Sequence, residues 1–231
     1  MRILILSAAV ALLALPGAAT AQTRPGGQPP RRPAPARPVP AYPSGIQVRG
    51  FGTVAVDWFT ASSTFNAVLG SARGTEFGGG LSLTEGPGFI DIGARRFTKD
   101  GERVFVGNLG TVFPLDIPTT ITMTPLDVTI GWRLRPLMGR RLRPYVGGGY
   151  TRLTYEETAG FAQDGDDVSE SFNGYHVLGG GEFRFGRLVG VAAELAWTSI
   201  ANAIGEGGAS KAFDETNLGG TSARFKIVIG R

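Results

Sequence analysis

From Ile46 onward, apolar and polar residues alternate with period two in segment after segment. Leu126, Val128, Ile130, Trp132 and Leu134 interleave with Asp127, Thr129, Gly131, Arg133 and Arg135. Ala223, Phe225, Ile227 and Ile229 alternate with Arg224, Lys226 and Val228, and Val189, Val191, Ala193, Leu195 and Trp197 with Gly190, Ala192, Glu194 and Ala196. In the first such segment Val54, Val56 and Trp58 oppose Thr53, Ala55 and Asp57. A slip of one residue would turn every charged side chain to the wrong face, so the register is strongly specified. The pattern predicts eight strands, near 47–59, 77–84, 89–98, 119–135, 143–155, 172–185, 188–198 and 216–230. Adjacent Arg95 and Arg96 blur the third, and Pro125 predicts a bulge or a late start in the fourth.

The connections alternate in length. Gly86-Pro87-Gly88, the Leu137–Arg141 turn and Gly186-Arg187 are short, whereas residues 60–76, 99–118, 156–171 and 199–215 form long segments. A soluble eight-stranded barrel, the alternative architecture, has water at both ends and no reason for this asymmetry. A transmembrane barrel has short periplasmic turns and long extracellular loops, so the expectation is an all-β, antiparallel, up-and-down barrel spanning an outer membrane. With both termini periplasmic, Trp58 and Trp197 close outward-running strands, with Tyr155 and Tyr175 nearby, and Trp132 falls at the inner boundary near Tyr145. These six aromatics are the expected girdles at the two lipid–water interfaces.

The chain ahead of the barrel has a different composition. Met1-Arg2, an apolar run to Leu15 and Ala19-Thr20-Ala21 read as a secretory signal peptide, residues 1–21, and the run is too short for a comfortable membrane-spanning helix. Residues 22–45 hold eight of the 15 prolines and four arginines, which predicts an extended periplasmic tether able to touch anionic lipid or the cell wall. Removing Arg2 and those four from 23 basic residues leaves 18 against 19 acidic ones, so residues 46–231 carry −1 and are no basic nucleic-acid-binding domain. No cysteine and a single histidine exclude disulfides, thiolate metal sites and multi-imidazole metal centres, and no cofactor is expected.

At this point the chain resembles the small eight-stranded outer-membrane β-barrels of the OmpA transmembrane-domain type. The likeness covers residues 46–231 and rests on the strand pattern with Gly50-Phe51-Gly52, Asp100-Gly101-Glu102-Arg103-Val104-Phe105 and Tyr145-Val146-Gly147-Gly148-Gly149. It implies a porin-like β-barrel of a Gram-negative-type cell envelope, in contact with outer-membrane lipids and lipopolysaccharide. Members of that group usually finish on an aromatic residue, whereas this sequence finishes Ile227-Val228-Ile229-Gly230-Arg231.

Eight strands enclose a lumen just wide enough to be filled by side chains. Alternation aims Arg49, Asp57, Asp91, Arg95, Asp127, Arg133, Arg152, Glu182, Arg184, Glu194, Arg224 and Lys226 inward. Mixed charges in that space must pair or stay hydrated, which predicts a plugged interior over a constitutive pore. The glycine triplets at 78–80, 147–149 and 179–181 lack the Lys-Ser/Thr of a phosphate loop; in strands they give room to facing aromatic rings. His176 sits near the outer end of the sixth strand with Ser169, Glu170 and Ser171 upstream. That combination leaves two readings, a rim histidine bonded to a loop carboxylate, which we prefer, or the base of a lipid-cleaving serine hydrolase. The acidic run from Asp164 through Asp166 and Asp167 to Glu170 reads as a solvated loop, with calcium as its alternative.

Three functions follow for test: a non-enzymatic barrel acting through its long extracellular loops, which we favour; a narrow gated pore; and an outer-leaflet lipid hydrolase using His176.

Overall fold

The computed structural model describes residues 45–107, 110–138, 141–160 and 168–230. The signal peptide, the arm up to residue 44 and the acidic residues Asp164, Asp166 and Asp167 lie outside the described residues. Period two gives strands and odd–even parity gives them two faces. The elements are β1 (Gln47–Phe59), α1 (Ser62–Leu69), β2 (Arg73–Glu85), β3 (Gly88–Val106), β4 (Val112–Arg133), β5 (Leu142–Ala159), β6 (Val168–Arg184), β7 (Val189–Ser199), α2 (Gly208–Ala212) and β8 (Gly220–Gly230). Each strand pairs antiparallel with the next, and β1 pairs with β8 from Arg49↔Gly230 to Phe59↔Gly220. The sheet is therefore a closed up-and-down barrel with no free edge.

The outer face is an apolar belt. Val56, Leu81, Ile92, Val128, Ile130, Val146, Val177, Leu195, Phe225 and Ile227 are all exposed. So broad an exposed apolar surface around a closed barrel marks a membrane contact. From Val48 to Trp58 the lipid face of β1 covers about ten residue steps; at about 3.3 Å each and a tilt near 40°, that spans about 25 Å, the height of the apolar band of such barrels.

Two expectations about local structure are corrected. The predicted loop 99–118 is mostly a two-stranded ribbon: β3 continues upward to Val106 and β4 starts at Val112, paired with it, with one irregularity between Glu102 and Val104. Cross-strand pairs such as Phe105↔Phe113 and Val106↔Val112, and a hydrogen bond from Thr120 Oγ1 to Asp100 Oδ1 (2.7 Å), hold that extension together. Pro125 makes neither bulge nor late start. Ala94 faces Leu126 on one side of it and Phe97 faces Met123 on the other, so no residue is inserted, and on the β5 side Pro125 stays in register with Leu153.

Glycines fit the aromatic rings of the interior. A Cβ on Gly131 would lie 2.1 Å from Cζ of Phe89, and one on Gly80 would lie 2.8 Å from Cζ of Phe51. Phe51 and Phe89 can turn inward in so narrow a barrel only because the facing strand has no side chain there.

Candidate functional site: the lumen and its outer cap

Inward-facing side chains fall into storeys along the barrel axis. At the end carrying the short turns, Glu182 is a hub. Its Oε1 accepts hydrogen bonds from Arg49 Nη1 and Arg184 Nε, both 2.7 Å, and its Oε2 lies 3.5 Å from Arg133 Nη2. One storey further in, Lys226 Nζ lies 2.6 Å from Glu194 Oε1 and 3.3 Å from Asp91 Oδ2, and sits 4.5 Å from the centre of the Phe51 ring. Tyr145 donates its hydroxyl to Glu194 Oε1 at 2.8 Å.

The middle storey centres on Asp127. Arg95 donates to it through Nη1 (2.6 Å) and to Glu76 through Nε (2.6 Å), and Arg224 Nη1 approaches Asp127 Oδ2 at 3.3 Å. Thr151 donates its only hydroxyl proton to Asp127 Oδ1 (2.8 Å), because a carboxylate can only accept. The Thr151 oxygen must then accept from His176 Nδ1 (2.8 Å), and with a neutral ring His176 Nε2 accepts from the Thr129 hydroxyl, also 2.8 Å away. This proton order is fixed by the partners rather than chosen.

Arg49, Asp57, Asp91, Arg95, Asp127, Arg133, Glu182, Arg184, Glu194, Arg224 and Lys226 face inward. Arg152 does not: it is exposed on the outer face of β5, next along from Tyr150. The inward face of β5 carries the odd-numbered residues, so Arg143, Tyr145, Thr151, Leu153 and Tyr155 point in. Tyr145 is 7 % exposed and belongs to the lumen, and Tyr155 packs at the mouth, so neither is a lipid-facing girdle residue. Trp58, Trp132, Tyr175 and Trp197 are exposed on the outer face, with the Tyr175 and Trp197 rings edge to face at 5.7 Å. Three glycines in the middle of β5 remove the parity signal, and both of its faces look amphipathic in sequence.

His176 is also relocated. It is 1 % exposed, deep in the lumen and bonded to two threonines, with Asp127 Oδ1 3.8 Å from Nδ1; it is not a rim residue held by a loop carboxylate. Ser171 and Ser169 lie five and seven residues away on the opposite face of β6, about 17–23 Å along the strand. No serine–histidine pair is assembled there.

Glu76, Arg143, Thr129 and Thr151 are lumen residues absent from the sequence-derived set. Glu76 preceded the predicted start of the second strand, although continuing the even-numbered face through Gly78 and Gly80 reaches it. Thr129 shares the face of Asp127 and Gly131, so the same alternation that found Asp127 points to it.

Above the charges the lumen turns apolar. Phe65 and Leu69 of α1 pack with Phe97, Ile121, Met123 and Leu153 of the wall and with Ile200 and Leu218 of the last long connection. Phe59 stacks on Phe65 at 4.3 Å and meets Phe97 edge to face at 5.5 Å. Helix α1 begins after Ala61, which cannot cap it. Glu215, from the connection between β7 and β8, accepts the free amides of Ser63 (2.9 Å) and Thr64 (2.8 Å) instead. Burial alone would raise the Glu215 carboxyl; the two amide hydrogen bonds outweigh it and hold the group below the ordinary glutamate value.

Space within this stack is small. Three voids among the lumen side chains have volumes of about 20, 40 and 20 Å³, room for about one water each. Over the apolar layer, by contrast, opens a cavity of about 580 Å³.

Compared with known proteins, the sequence matches no family model and no curated protein. The fold does have counterparts. The chain is similar to Neisserial surface protein A at 13% identity and a TM-score of 0.50, over 81% of this chain and 98% of that one. It is also similar to the outer membrane protein OprG from Pseudomonas aeruginosa (12% identity, TM-score 0.46, 82% and 95% covered) and to Ail, the attachment invasion locus protein of Yersinia pestis (8% identity, TM-score 0.45, 81% and 97% covered). The fold is that of the small eight-stranded outer-membrane β-barrels.

Proposed function

We propose that this chain is a non-enzymatic barrel of a bacterial outer membrane that makes its contacts through the outer connections, above a lumen held shut by paired charges. The observation that carries this reading is the stacking of two seals. Ion-paired storeys leave only water-sized voids, and a separate apolar layer built from α1 and the strand walls closes the outer end. Buried charges of both signs are costly to separate, so the pairs resist opening. The apolar belt with Trp58, Tyr175 and Trp197 near one end and Trp132 near the other supports residence in a lipid bilayer. The occupation of both His176 ring nitrogens by threonines supports a structural rather than a hydrolytic histidine.

The absence of cysteine makes the orientation testable by single-cysteine labelling. With Asn202→Cys, a membrane-impermeant maleimide labels intact cells; with Arg187→Cys it labels only after the outer membrane is opened. The reverse pattern would overturn the proposed orientation. Lipid A mass spectra identical with and without the protein are expected; a new acyl pattern would return the hydrolase reading.

A second reading, a narrow gated pore, is favoured by one feature. Asp57 Oδ2 and, nearer the short turns, Asp91 Oδ1 and Glu194 Oε2 beside Lys226 are buried without a hydrogen-bond partner, which gives water or a rearranging cation polar stations at two depths. Under this reading neutralising Glu182 or Arg184 changes a measurable conductance.

A further inference from the structure

The cavity of about 580 Å³ lies outside the plug and opens at the outer end of the barrel. Its size falls in the range of sites that enclose a small organic molecule. Phe65, Val68, Ile121, Phe172, Ile204 and Leu218 give it apolar walls. Those walls are preformed: Glu215 pins the start of α1, and the Ser210 hydroxyl accepts from the Gly205 amide at 3.0 Å. A site that need not be ordered on binding loses little affinity to that cost.

Its polar edge is unequal in sign. Arg103, Glu157, Glu170 and Glu206 all line the cavity. Arg103 Nε donates to Glu157 Oε1 at 3.0 Å, and Tyr155 donates its hydroxyl to Glu157 Oε2 at 3.2 Å, so the one cation is already matched. Glu170 and Glu206 have no cationic partner among the described residues, which leaves the edge at −2. Thr64, beside the Glu215 carboxylate that caps α1, also lines the cavity.

We infer that this cavity binds a cationic amphiphile, a compact apolar or aromatic body bearing one ammonium group. The body replaces water against Phe65, Phe172 and Leu218. The ammonium sits at the edge, where Glu170 and Glu206 supply the charge complement, and an anionic head of the same shape meets repulsion there. The inference rests on the outer-connection reading above and specifies its ligand class.

The test uses the full mature barrel in zwitterionic phosphatidylcholine nanodiscs, with empty discs subtracted, and two water-soluble probes of matched body: 1-naphthylmethylammonium and 1-naphthylacetate. Equilibrium dialysis is expected to show saturable one-to-one binding of the cation, with the anion weaker by about tenfold or more, as two unmatched charges imply. Glu170→Gln with Glu206→Gln, both exposed and remote from the plug, removes most of that preference while heat-dependent gel migration stays native. Absence of saturable binding, equal binding of the two probes, or a preference that survives the double substitution would overturn the inference. Conductance is measured on the same preparation. A silent barrel that binds neither probe sinks this inference and leaves the plugged reading standing, whereas a conducting barrel that still discriminates the probes does the opposite.

Discussion

Asp127 illustrates what single residues do in so narrow a lumen. It accepts from Arg95 and Thr151, receives Arg224, and through Thr151 orients His176, so four inward strands besides its own depend on one carboxylate. Replacing it by alanine leaves Arg95 and Arg224 short of a buried counter-charge, and we expect a loss of about 3–5 kcal/mol in stability. Urea unfolding in lipid vesicles measures it; a loss below about 1 kcal/mol would show that the pairs are largely hydrated. The facing of β5 is tested by a contrast between two arginines. Arg143→Leu, buried in the lumen, should destabilise by at least about 2 kcal/mol, whereas Arg152→Leu, exposed on the outer wall, should change stability by less than about 1 kcal/mol. The reverse ranking would return Arg152 to the lumen.

At the scale of elements, the two helices matter because they close the barrel from above. Helix α1 is eight residues long and has no side-chain cap of its own, so it is marginal without tertiary support. Glu215 supplies that support from the connection between β7 and β8. Its carboxyl lies below the ordinary value of 4.5 in the folded state, so the group binds fewer protons folded than unfolded. The sign follows: its stabilising contribution is fully present above pH 4.5 and is lost as pH falls through the lower folded value. The protection factors of the Ser63 and Thr64 amides, taken against the intrinsic exchange rate at each pH, should therefore fall on acidification below pH 4.5, and Glu215→Gln should show low protection at neutral pH as well. Protection in the glutamine variant equal to the native chain would remove Glu215 from the cap.

The same scale shows where sequence reading succeeds and where it stops. Strands β1, β7 and β8 and the stretch of β4 from Leu126 to Arg133 carry side chains of contrasting polarity at nearly every position, and their facing is legible there. In β5 the run Gly147–Gly149 erases parity across the middle, and Arg152, adjacent to Tyr150 on the lipid side, looks like a lumen charge until the pairing Arg152↔Leu126 is known. The upper part of β3 begins at Asp100-Gly101, which locally reads as a turn. It stays in strand because its partner residues on β4, including Pro118 and Thr119, lie opposite it, a relation no local signal contains. The cap escapes for a similar reason: Glu215 and Ser63 are 152 residues apart, and only barrel closure between β1 and β8 brings their connections together.

The described residues form a closed wall with a lipid-facing exterior, a lumen of paired charges and an apolar layer beneath an open outer cavity. Each part depends on the others. The narrow circumference forces the charges into contact, the contacts hold the wall, and the closed wall gives α1 and the last connection a floor on which to pack. On the function proposed above, this stack does not conduct. The most direct test is the single-channel conductance of the refolded mature barrel in a planar bilayer, with folding established beforehand by heat-dependent gel migration. We predict silence from the native chain and from Glu215→Gln, because the charged storeys remain when the cap loosens. Reproducible discrete openings of the native barrel, altered by Glu182→Gln, would contradict the plug and establish the inner charge network as a gate.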